Sequence, residues 1–205
     1  MVTTSAELAY YLKADKIASG RQDVGWFNQA WITRIAFPDE LLKFHIVLRK
    51  LEYLHNCERN AWVCVRKAFV YRQYLHLSRI LGFTIPINVF GPGLSIAHPG
   101  TIVINTATRV GANCRIHVCV NIGTAAGTTH DAPKIGNNVY IGPGAKIYGG
   151  ITIADGCAIG ANAVVNKSFV EPGTTIAGVP ARKVGKIDTS KLLIRATDIL
   201  NQQLL

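Results

Sequence analysis

Two spacings of apolar residues divide the chain near residue 83. Before that point Leu41, Leu48, Leu51 and Leu54 recur at helical intervals, and residues 61 to 81 interleave Val, Tyr and Leu with Arg66, Lys67, Arg72 and Arg79. The punctuation agrees. Thr4 and Glu7 form a capping box, in which each side chain satisfies a backbone N–H at the helix start. Gly20 suits a helix end. Pro38, Asp39 and Glu40 open a second helix, with the proline expected in its first turn. Gly82 ends a third. Residues 1–83 are therefore expected to form an α-helical domain.

After Pro86 the period becomes six. Ile104, Val110, Ile116 and Ile122 keep that interval, and so do Ile135, Ile141, Ile147, Ile153, Ile159 and Val165. A helix cannot repeat at six, and a lone strand repeats at two. The solution is a three-sided solenoid of short parallel strands, each coil burying its aliphatic residues against the next. Between Ile122 and Ile135 the interval is thirteen, so seven extra residues must leave the wall as an external loop around 124–133. Such loops often carry function. The register breaks at Glu171-Pro172-Gly173, which places the solenoid at 84–187 and a final helix or tail at 188–205.

Composition narrows the choice of partners. At 49% hydrophobic, the 205 residues can bury a real core. The net charge of +10 divides evenly: residues 1–83 hold 12 Lys/Arg against 7 Asp/Glu, and residues 84–205 hold 10 against 5. That even spread favours small anionic ligands and argues against nucleic acid. Five cysteines, with no CxxC pair, fit free thiols in a reducing, cytoplasmic setting. Charges at Glu7, Lys13 and Asp15 argue against a signal peptide, and no apolar run is long enough for a membrane span.

The six-residue ladder, the external loop and the stretch from Ala177 to Gly185 together resemble the hexapeptide-repeat acyltransferases. That resemblance implies an α+β chain: an N-terminal α-helical domain, then a left-handed parallel β-helix and a short C-terminal helix or tail. The helical domain, and the segment from Gly91 to Ile104 around His98, are similar to the serine acetyltransferase branch. Within it, the chain looks most like members that acetylate sugars during capsule or exopolysaccharide synthesis. The resemblance implies acetyl transfer from acetyl-CoA to a hydroxyl in a ternary complex, no metal, and a homotrimer, with two trimers joined through their helical domains in some members.

His98 matches the catalytic position of the family. A neutral imidazole is available near pH 7 and can take the alcohol's proton as the new C–O bond forms. His117, His130 and Asp131 are candidates for the acceptor pocket, and His117 or His130 for a second base. Asp131 is the only carboxylate between residues 84 and 154, and so one candidate for orienting His98. Carried over by position, the coenzyme contacts fall on Gly123, Thr124, Gly142, Pro143, Gly160 and Ala161, with Arg182 and Lys183 near the nucleotide phosphates.

Three departures bear on the acceptor. The family's aspartate about fifteen residues before the histidine is Phe83 here, the acid just before the histidine is Ala97, and an Arg-His pair in the loop is Asp131-Ala132. An amino acid needs a charged partner at both poles, so these losses lead to the expectation of a neutral saccharide acceptor. The rival readings are a serine O-acetyltransferase, a carbonic-anhydrase-like metal site built from His98, His117 and His130, and a non-catalytic trimeric scaffold.

Overall fold

The structure, a computed structural model, describes residues 1–20, 39–57 and 60–203. Its helical part contains α1 (Ser5–Ala18), α2 (Glu40–Asn56) and α3 (Ala61–Leu81). The capping box at Thr4 and Glu7 forms, and its hydrogen bonds from Thr3 and Thr4 hold the Glu7 carboxyl down at about 2. Asp39 caps α2 by accepting the Leu42 N–H. The helix thus begins at Glu40, and the expected opening proline, Pro38, lies outside the described residues. Gly82 ends α3 at φ +77°, a conformation that suits glycine.

The remainder is a three-sided parallel β-helix. One face stacks β1 (Phe83–Thr84), β3 (Ile102–Ile104), β6 (Val120–Gly123), β9 (Lys146–Tyr148) and β12 (Val164–Val165). The second stacks β4 (Arg109–Val110), β7 (Lys134–Ile135) and β10 (Thr152–Ile153). The third stacks β2 (Ser95–Ile96), β5 (Arg115–Ile116), β8 (Tyr140–Ile141), β11 (Ala158–Ile159) and β13 (Thr174–Ala177), and is closed by the antiparallel β14 (Arg182–Lys186).

The register turns the six-residue ladder into three inward columns. Ile104, Ile122, Ile147 and Val165 align on the first face. Val110, Ile135 and Ile153 align on the second, with Phe90 and Phe169 as bridges at its ends. Ile96, Ile116, Ile141, Ile159 and Ile176 align on the third. These columns are almost wholly shielded from solvent, each aliphatic side chain contributing about 1.5–3 kcal/mol on burial. The parallel coils are consistent with the expected left-handed solenoid.

A buried ionic cluster joins the helices to the first coil. Arg49 and Asp15 are 0% and 2% exposed, and Glu52 is 1% exposed. All five N–H donors of Arg49 are used: on both oxygens of Asp15, on Glu52 Oε2, and on the carbonyls of Phe90 and Gly91. The chain then returns. After β14 it runs along the solenoid, with Thr189 bonded to the Asn138 carbonyl and Thr197 to Asn113. It ends in α4 (Ala196–Gln202), where Ala196 and Leu200 pack against Ala14, Ile17 and Ala18 of α1.

Candidate active site

Strand alternation decides which side chains reach the surface. Because Ile96, Ile116 and Ile141 point inward, their neighbours on either side point out. Before the isoleucines the aligned residues are Ser95, which is itself covered, Arg115 and Tyr140; after them come Ala97, His117 and Gly142. His98 follows one residue beyond Ala97 and is exposed, while His117 and Tyr140 are half-buried. The His98 and His117 rings lie 6.4 Å apart between centroids, and the His117 and Tyr140 rings 5.2 Å apart.

The setting of His117 is not that of a solvated side chain. Its Nε2 is shielded from solvent and has no hydrogen-bond partner among the described residues. Burial, then the Arg115 guanidinium, then His98 push its pKa below the usual histidine value of 6.5. It is therefore a neutral ring at pH 7, able to offer either a lone pair or an N–H.

The carried-over coenzyme positions fall on two different corners of the prism. Gly142 and Pro143 follow β8, and Gly160 and Ala161 follow β11, continuing downward the corner that carries Ala97 and His117. The glycines have a packing role of their own. A Cβ on Gly142 would lie 2.8 Å from the Ile159 carbonyl oxygen and 2.9 Å from the Ala161 nitrogen. Gly123 and Thr124 end β6 on the next corner, where the external loop leaves the wall.

That loop carries His130 and Asp131, both exposed. Asp131 lies beside Gly150, on the loop's own corner, so one copy of the chain brings His98 and His117 together but not these two with the loop residues. At the far end Lys183 and Lys186 pair with Glu171, whose carboxyl their hydrogen bonds hold down at about 2. Arg182 is exposed on β14. Among the described residues no three His, Cys, Asp or Glu side chains gather as metal ligands. No described helix is long and apolar enough to cross a membrane.

Sequence reasoning missed Arg115, Tyr140 and the cluster of Asp15, His45, Arg49 and Glu52. Arg115 and Tyr140 were legible as residues preceding the inward isoleucines. In α2, the polar residues His45, Arg49 and Glu52 sit one residue after apolar Phe44, Leu48 and Leu51, so they flank the buried stripe rather than the solvent face.

Residues 132–167 match the family described as bacterial transferase hexapeptide (six repeats). A serine acetyltransferase of Salmonella typhimurium is 32% identical over 189 residues, covering 90% of this chain and 67% of that protein. One of Escherichia coli is 40% identical over 107 residues, which is 52% of this chain and only 39% of that protein. Among solved structures, serine acetyltransferase of Brucella abortus in complex with coenzyme A superposes with a TM-score of 0.64 at 27% identity. That match covers 89% of this chain and 68% of the other.

These relatives overturn the expected saccharide acceptor, and with it the likeness to capsule and exopolysaccharide enzymes. That expectation assumed that the charges holding an amino acid can stand only where Phe83, Ala97 and Asp131 stand here. Matched along nine-tenths of its own length to a relative of which it covers two thirds, the chain belongs to the serine acetyltransferase family of hexapeptide-repeat enzymes, acyltransferases that draw on acetyl-CoA.

Proposed function

We propose that the protein transfers the acetyl group of acetyl-CoA to the hydroxyl of L-serine, with His98 as the general base. The observation that carries this reading is the exposed His98 beside a second, neutral imidazole, at the head of a corner lined by Gly142, Pro143, Gly160 and Ala161. The names of the relatives supply the acceptor.

In this reading His98 takes the hydroxyl proton as the serine oxygen forms a bond to the thioester carbonyl carbon. The C–S bond then breaks, and the imidazolium returns its proton to the departing thiolate. The products are O-acetylserine and coenzyme A. Such a base supplies about 10²–10⁴-fold. The Thr124 N–H donates to no backbone carbonyl among the described residues, which suits it to the developing oxyanion. Arg182, Lys183 and Lys186 offer positive charge for the nucleotide phosphates.

A trimer completes the site. His98 and His117 stand on one corner, while Thr124, His130 and Asp131 stand on another, so adjacent copies of a left-handed prism are what unite them. Thiol release from acetyl-CoA tests the reading, with L-serine compared against simple sugars. Serine-dependent release is expected; release with sugars alone overturns it.

A further inference from the structure

Among the described residues Arg115 is a cation without an anion. It lies on β5 between Ser95 and Tyr140 in the register, two residues from His117 and on the same outer face. Its Nε is shielded from solvent and has no hydrogen-bond partner among the described residues. Asp131 is the only carboxylate between residues 84 and 154, and it sits beside Gly150 on the loop's corner. A shielded guanidinium nitrogen with nothing to donate to is costly, and a structure that keeps one has a use for it.

From this placement we infer that Arg115 receives the carboxylate of the amino-acid acceptor, setting its hydroxyl between His98 and the thioester. This deepens, and rests on, the serine reading proposed above. A guanidinium fork matches a carboxylate in two parallel hydrogen bonds, which fixes orientation as well as charge. The neighbouring groups suit the rest of an amino acid. His117 presents a neutral ring 6.4 Å from His98, and the Tyr140 ring flanks it at 5.2 Å. One cation on β5 thus takes over the positive charge that positions 131 and 132 do not supply.

The test compares L-serine with L-serinamide, which keeps the hydroxyl and the amine but carries no carboxylate. Steady-state kinetics are read for the full-length wild type, Arg115→Gln and Arg115→Lys. The wild type is expected to favour serine over serinamide. Arg115→Gln is expected to raise the KM for serine about 10- to 100-fold, the range of a lost charged hydrogen bond. It should leave serinamide turnover and the KM for acetyl-CoA within about twofold, and Arg115→Lys should recover part of the loss.

Three results overturn the inference while leaving serine as acceptor: a serine KM unchanged in Arg115→Gln, a rise confined to acetyl-CoA, or dissociation of the oligomer by sedimentation. The last assigns the guanidinium to a contact between copies. A wild type that acetylates neither serine nor serinamide removes the serine reading and this inference together.

Discussion

Asp15 accepts the backbone N–H of Leu94 at 2.8 Å, so a carboxylate in the first helix holds a peptide four residues ahead of His98. The same oxygen accepts the Gly93 N–H. β2 is the end strand of its sheet and lacks a neighbour on one side, and backbone groups at such an edge need partners from elsewhere. For the turn that leads into β2, Asp15 and Arg49 supply them: the guanidinium donates to the Phe90 and Gly91 carbonyls and the carboxylate accepts the Gly93 and Leu94 N–H groups. The helical domain therefore stands in for a missing coil above the histidine.

Removing one member of that pair strands the other out of water. Burial alone would raise the Asp15 carboxyl, but Arg49 and His45 outweigh it and hold it below the usual aspartate range. Asp15→Ala is expected to cost about 3–5 kcal/mol by urea unfolding, as for other broken buried pairs. Replacing Asp15 and Arg49 together by Leu and Met should cost less, since no orphan charge remains. A single variant as stable as the wild type would contradict the cluster.

How much of this was legible in the sequence follows from how each part is encoded. The columns were, because Ile104 to Val165 repeat at an interval that only stacked coils satisfy. The end of α3 was, because Gly82 is chemically suited to the left-handed turn it makes. The ionic cluster was not: Asp15 and Arg49 look like ordinary helix-surface charges until the first coil is packed upon them. The acceptor was misread for a related reason. Charge was sought at the family's positions, and the outward residues that precede the inward isoleucines, Arg115 among them, were not weighed.

His98→Ala should lower turnover by about a hundredfold or more while circular dichroism and sedimentation stay unchanged, because the ring is exposed and outside the core. Turnover within a few-fold of wild type would remove His98 from the reaction.

His117 gives the fold a pH dependence whose sign can be worked out. Its folded pKa lies below the unfolded value of 6.5, so between the two the unfolded chain binds more protons. Stability is therefore expected to fall as pH drops below about 6.5, and to level off once the folded ring is also protonated. His117→Asn should flatten that slope, read as urea midpoints from pH 7.5 to 5. An unchanged slope would show that His117 does not cause it.

Gly142 and Gly160 separate packing from cofactor binding along one corner. A Cβ on Gly142 meets backbone atoms of the next coil at 2.8 and 2.9 Å, and backbone there cannot move without shifting the Ile141 and Ile159 column. Gly142→Ala is therefore expected to destabilise by about 1–3 kcal/mol, the usual cost of overpacking. A Cβ on Gly160 meets the Ala177 methyl at 3.2 Å and backbone no nearer than the Ile176 carbonyl oxygen at 3.5 Å, so Gly160→Ala should fold nearly as well as wild type. If the pantetheine chain lies against this corner, the added methyl occupies its path, and the KM for acetyl-CoA should rise several-fold while the KM for serine does not. An unchanged KM for acetyl-CoA in a stable Gly160→Ala enzyme would move the thioester off this strip and leave the glycines as packing residues alone.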